Sequence, residues 1–81
     1  MTLNLYTEVV LLEDVPEENL RAGDVATLVE RAARIDGDEG CILEVFNALG
    51  ETVRIAIVPV SAVRGLSAHD VWTVRPLAGT R

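Results

Sequence analysis

The chain has 81 residues, a net charge of −6 at neutral pH and 49% hydrophobic residues, which is enough apolar surface for one small domain with its own core. This composition excludes an intrinsically disordered chain, and the single cysteine excludes an intramolecular disulfide and a thiolate metal cluster. No basic leader segment and no apolar run of about 18–20 residues is present, so we expect a cytoplasmic protein of bacterial type without a membrane segment.

The first predicted element is a short β-branched strand at residues 7–12. A long polar loop follows at residues 13–23, where Pro16 breaks the strand and residues 16–20 can form one helical turn. Most of the acidic residues before the second strand lie in this loop.

The second predicted strand begins after a Gly-Asp pair. Gly23 supplies the backbone freedom that turns the loop into a strand, and Asp24 can cap the turn through its side chain. The two-residue period of the following segment places Val25, Thr27 and Val29 on one face. We expect this face to point into the core.

Short strands and turns account for the rest of the chain. They are a loop at residues 32–40, an apolar third strand at 41–46, a turn at 47–51, an alternating fourth strand at 52–60, a turn or short helical piece at 61–70, a final strand at 71–77 and a frayed tail at 78–81. An antiparallel meander of this kind buries one face and removes most free edges when it closes into a small barrel.

Charge is distributed unevenly along the chain. Residues 1–51 have a net charge of −9 and residues 52–81 a net charge of +3. The segment "EDVPEEN" concentrates four carboxylates, which are Glu13, Asp14, Glu17 and Glu18. Such a pattern is typical of a solvated surface, and it also suits head-to-tail association or a basic partner.

Two sequence features resemble metal or catalytic sites. Asp36, Asp38 and Glu39 can supply oxygen ligands for a cation, but the other ligands of an EF-hand loop are missing, which favours a solvated turn between two strands. His69 precedes Asp70, but no nucleophile motif accompanies the pair, which indicates a surface histidine.

The remaining side chains of interest are the cysteine and the aromatics. Cys41 begins an apolar strand beside two acids, which favours a buried thiol over a reactive one. Tyr6, Phe46 and Trp72 are expected in the core. Only Trp72 has arginines nearby in the sequence, as a base-stacking residue of a nucleic-acid binder would.

Two blocks of the sequence, "LLEDVPEENLRAGDVATLVE" and "LEVFNALGET", carry a resemblance to a known family. Over about residues 5–66 the chain resembles the bacterial family catalogued as domain of unknown function 4926. The resemblance implies an SH3-like barrel. It implies no activity and no catalytic or cofactor-binding residues.

Together these observations predict a mostly all-β domain over residues 1–81, an SH3-like antiparallel barrel of about five strands with one long early loop and a short helical turn. For its function we expect a non-enzymatic protein-binding module without a metal or cofactor, such as an antitoxin-like, immunity-like or accessory partner. A self-association step is compatible with this function. The predicted contact residues are Glu13, Asp14, Glu17, Glu18 and Trp72.

Two alternatives remain open at this point. One is a KOW-like nucleic-acid-binding barrel that uses the Gly23-Asp24 turn with Arg54, Arg64 and Arg75, although the acidic charge disfavours phosphate binding. The other is a small metal-binding protein that uses the loop at residues 36–39.

Overall fold

The computed structural model describes residues 3–35 and 37–77, without the side chain of Ile35. Within these residues the chain forms five strands, β1 (Thr7–Leu11), β2 (Val25–Ile35), β3 (Asp38–Phe46), β4 (Thr52–Pro59) and β5 (Val63–Gly65). Short 3-10 helices at Pro16–Glu18 and Val60–Ala62 lie in the β1–β2 and β4–β5 connections. Asp36 of the candidate metal loop and the predicted frayed tail lie outside the described residues.

The five strands form one antiparallel sheet in the order β4-β3-β2-β1-β5. The first and last strands are therefore neighbours, and β4 lies at the opposite edge. This confirms the predicted mostly β fold with five antiparallel strands, a long early loop and a short helical turn. The strand order and the 3-10 helix before β5 are consistent with an SH3-like barrel.

The core lies on one face of this curled sheet and consists of aliphatic side chains and one thiol. Its members are Val9, Leu11, Leu20, Ala26, Leu28, Cys41, Leu43, Val45, Ala56, Val58, Ala62 and Val63. Leu28, Leu43 and Ala56 are paired in register across three strands and form a continuous buried row. Burial of this apolar area is the main stabilising contribution to the fold. The predicted burial of Cys41 is confirmed.

The predicted orientation of β2 is wrong. Ala26 and Leu28 point into the core, whereas Val25, Thr27 and Val29 lie on the other face and are only half-buried. A strand with apolar residues on both faces shows no clear alternation of apolar and polar residues. An error of one residue in assigning that alternation places every side chain on the opposite face of the sheet. Here the outer face also carries apolar side chains, because a later segment of the chain covers part of it.

Strand boundaries in the middle of the chain also differ from the prediction. The expected loop at residues 32–40 belongs mostly to strands, since β2 extends to Ile35 and β3 begins at Asp38. Gly37 has a φ of +80°, which glycine adopts without strain. Cross-strand pairing therefore overrides the weak strand propensity of these Asp and Gly residues.

The prediction of a final strand at residues 71–77 is wrong, because these residues are irregular and β5 lies earlier, at Val63–Gly65. The prediction that the aromatic side chains lie in the core is wrong as well. Tyr6, Phe46 and Trp72 are all exposed, with Trp72 at 68%. The small aliphatic side chains already fill the interior.

A pair of substitutions tests the assignment of the two faces. Leu28→Ala removes a fully buried side chain and should lower the free energy of unfolding by about 2–5 kcal/mol, measured by urea denaturation. Ile57→Ala, at a position that is 59% exposed on β4, should cost less than about 1 kcal/mol. Equal losses for the two variants would contradict the observed faces.

Candidate functional site

The connection between β1 and β2, residues 12–24, is a folded structure that we call the acidic loop. Gly23 N–H donates to the Leu11 carbonyl at 2.8 Å, and Leu11 N–H donates to the Asp24 carbonyl at 2.9 Å, so the two ends of the loop are held together. Within the loop Val15 and Leu20 form a small antiparallel bridge. Leu20 is buried in the core and anchors the loop to the sheet.

The carboxylates of the acidic loop point away from the core. Glu13, Asp14 and Glu17 are exposed and Glu18 is half-buried. Asp14 has a structural role, because its Oδ1 accepts the Ala22 N–H at 2.9 Å. Arg54 Nε donates to the carbonyl oxygen of Glu18 at 3.3 Å and ties the 3-10 turn to β4. The loop therefore presents its negative charge on a fixed backbone.

Residues 66–77, which we call the strap, leave the sheet after β5. An ion pair holds the start of the strap, with the Arg64 guanidinium bound to both carboxylate oxygens of Asp70 at 2.9 and 2.7 Å. Asp70 also accepts the Ser67 N–H at 2.6 Å, which closes a turn. Hydrogen bonding from Arg64 lowers the pKa of the Asp70 carboxyl.

The far end of the strap is bound at the Gly-Asp corner that begins β2. Arg75 Nε donates to Asp24 Oδ1 at 3.0 Å, and Arg75 Nη2 donates to Asp24 Oδ2 and, at 3.2 Å, to the Asn19 carbonyl. Asp24 Oδ2 also accepts the Arg21 N–H at 2.8 Å. This confirms that the Asp24 side chain caps the turn, and it adds a bidentate arginine contact.

The environment of Asp24 keeps its carboxyl group ionised. The side chain is only 19% exposed. Burial alone would raise the pKa of Asp24, but the hydrogen bonds from Arg75 and from the Arg21 backbone, with the charges of both arginines, outweigh it and lower the pKa. Asp24 is therefore an anion with a fixed orientation.

A groove with a volume of about 920 Å³ lies between the strap and the domain. Its lining includes Val10 and Val25 from β1 and β2, Phe46 from the end of β3 and Trp72 from the strap. Val10 is 7% exposed although it does not belong to the core cluster, and its cross-strand neighbours are Val25 and Arg64. The strap therefore covers an apolar strip on the outer face of the sheet.

The part of the chain that matches a known family ends before the strap. Residues 5–64 match DUF4926, a domain of unknown function. The chain belongs to the DUF4926 family. No curated protein and no solved structure matches the chain. The acidic loop and Asp24 lie inside the DUF4926 domain, whereas the strap begins just after the matched region.

The structure places Trp72 in the groove, apart from the other predicted contact residues. Trp72 lines the groove together with Asp24 and Leu20 from the acidic loop. The four predicted carboxylates, Glu13, Asp14, Glu17 and Glu18, are not among the lining residues and lie on the surface of the same loop. The contact that sequence reasoning missed is the ion pair of Asp24 with Arg75, because 51 positions separate them and no local pattern links the two.

In the described part of the chain, His69 and Asp70 do not form a catalytic pair, and Asp38 of the loop at residues 36–39 is engaged in hydrogen bonds. His69 is exposed and Asp70 binds Arg64 instead. Asp38 accepts the backbone N–H groups of Ser61 and Glu39, and hydrogen bonding from Ser61 lowers its pKa. In residues 3–35 and 37–77 no group of three or more acidic, histidine or cysteine side chains could hold a metal ion. In the same residues no helix is long and apolar enough to span a bilayer.

Acidification should release the strap from the DUF4926 domain. The pKa of Asp24 is lower in the folded chain than in the unfolded chain, so its stabilising contribution is present above about pH 4 and is lost as the pH falls below that value. Trp72 is the only tryptophan, so its fluorescence reports the strap directly. The spectrum should change on acidification before the sheet unfolds.

The matched variants for this titration are Asp24→Asn, which removes the charge, and Glu30→Gln, which removes an exposed charge on β2. The first should already show the altered Trp72 spectrum at neutral pH, and the second should behave as the wild type does. An identical titration for Asp24→Asn and the wild type would contradict the role of Asp24.

Cys41 should be protected from thiol reagents in the folded chain. Burial raises the pKa of its thiol, and the charges of Glu39 and Asp38 raise it further, so little thiolate forms at neutral pH. A colorimetric thiol reagent should react at least ~100-fold more slowly without urea than in denaturing urea. Equal rates would show that the β3 core opens freely.

Proposed function

We propose that the chain is a non-enzymatic protein-binding module whose partner presents a basic segment. Residues 5–64 carry twelve acidic side chains and five arginines, a net charge of −7. The acidic loop holds part of this charge on a fixed backbone beside an open groove. Complementary charge of this kind accelerates association and selects basic partners.

The observation that carries the proposal is the contact between Asp24 and Arg75. It shows that the corner at the end of the acidic loop accepts a guanidinium group, which is bound by two carboxylate oxygens and the Asn19 carbonyl. The exposed ring of Trp72 lies at the same groove and offers an apolar contact of the kind that is common at protein interfaces. Antitoxin-like, immunity-like and accessory roles in the cytoplasm are all forms of this function.

The nucleic-acid alternative has weaker support. It needs a basic face, and the three arginines considered for it all bind groups of the chain itself. Arg54 donates to two backbone carbonyls, Arg64 pairs with Asp70, and Arg75 pairs with Asp24. Arginines that are already paired add little to phosphate binding.

The experiment is an affinity pull-down from the source organism followed by quantitative binding to the purified partner. Glu17→Lys reverses one charge on the acidic loop and should weaken partner binding at least about tenfold, with an affinity that also falls as salt rises. Glu30→Lys makes the same change on the exposed side of β2 and should have little effect. Equal binding by both variants would contradict the role of the acidic loop.

A further inference from the structure

We propose that the strap is a displaceable occupant of a peptide-binding groove in the DUF4926 domain. The groove takes an extended segment in which an arginine is followed two positions later by an aliphatic residue. Residues 71–77 lie along it within the chain, with Arg75 bound to Asp24 at one end, and a segment of the same chemistry from a basic partner protein replaces them. This inference rests on the proposed protein-binding function and names the partner segment.

The first observation is that the strap is attached by side chains. Residues 71–77 are irregular, and their backbone N–H groups form no hydrogen bond with the backbone of the described domain. Strands that belong to a sheet exchange backbone hydrogen bonds along their length. A segment without them can leave while the five-stranded sheet stays intact.

The second observation is the chemistry of the bound end. Asp24 pairs with Arg75, and Leu77 packs against the core cluster two residues later. Pro76 between them fixes its own φ and favours an extended backbone at Arg75. The three residues therefore behave as a short peptide ligand with one charged anchor and one apolar anchor.

The third observation is that the middle of the strap gains little from its position. Val71, Trp72 and Val74 are 84%, 68% and 94% exposed. The floor of the groove, in contrast, is apolar and includes Val10, which is buried outside the core cluster. Because an empty groove would expose this floor, we expect exchange of one segment for another. The strap competes mainly through its high effective concentration, which is millimolar for short connections.

The test is a titration with a synthetic peptide of residues 70–80 in which Trp72 is replaced by phenylalanine. Trp72 of the full-length chain then remains the only tryptophan and reports displacement of the strap in the wild type, and calorimetry gives the peptide affinity of every variant, including those whose strap is already loosened. Full-length Arg75→Ala loses the charged anchor of its own strap, so it should bind the peptide at least about fivefold more tightly than the wild type. The same peptide with alanine in place of its arginine should bind at least about tenfold more weakly.

Two further variants make the result decisive. Arg31→Ala removes an exposed arginine on β2 and should bind the peptide as the wild type does. Leu77→Ala loosens the strap without touching Asp24, so it should also bind more tightly and replaces Arg75→Ala if that variant is unstable. Equal peptide affinities for the wild type and the loosened variants, or equal affinities for the two peptides, would overturn the proposal.

The outcomes separate this inference from the proposed function. If the peptide does not bind but partner capture still depends on Glu17, the displaceable strap is overturned and the proposed function is not. Successful titration with capture that ignores Glu17 would support the groove and overturn the role of the acidic loop. If the wild type forms a dimer and Arg75→Ala does not, the groove binds the strap of a second copy. That result would overturn binding of a separate partner protein.

Discussion

The carboxylate of Asp24 holds together three segments that are distant in the sequence. It caps the turn through the Arg21 N–H, it marks the start of β2, and it binds the Arg75 guanidinium at the end of the strap. Because the side chain is mostly buried, this charge is poorly screened and is costly to leave unpaired. The end of the acidic loop, the start of β2 and the far end of the strap therefore meet at this one group.

Local sequence patterns predicted the parts of the fold that local physics determines. The Gly23-Asp24 turn was predictable, since Gly23 has a φ of +94° and Asp24 caps through its side chain. The inward face of β2 could not be predicted in the same way, because Leu28 and Val29 are both apolar. Only the path of the later chain shows which face of the strand meets the core. The contact with Arg75 was equally hidden, since a tertiary ion pair leaves no periodic signal. The predicted contact residues, apart from Trp72, are on the acidic loop rather than in the groove.

The domain and the strap differ in how they are held together. The DUF4926 domain is a paired sheet with an aliphatic core and a loop of fixed negative charge. The strap lies outside the family match and is attached by two arginine–aspartate pairs and one leucine. The more exposed Arg64–Asp70 pair contributes little and is screened by salt, and the Asp24–Arg75 pair is lost when Asp24 is protonated. This contrast supports the proposed exchange of the strap for a segment of a basic partner.

The most direct test of this account is a double-mutant cycle with Asp24→Asn and Arg75→Gln, in which the free energy of unfolding is measured by urea denaturation for the wild type, both single variants and the double variant. If the two side chains bind as described, the cycle should give a favourable coupling energy of about 1 kcal/mol at neutral pH. The coupling should vanish at a pH at which Asp24 is protonated. A coupling energy of zero at neutral pH would contradict the central role of this pair.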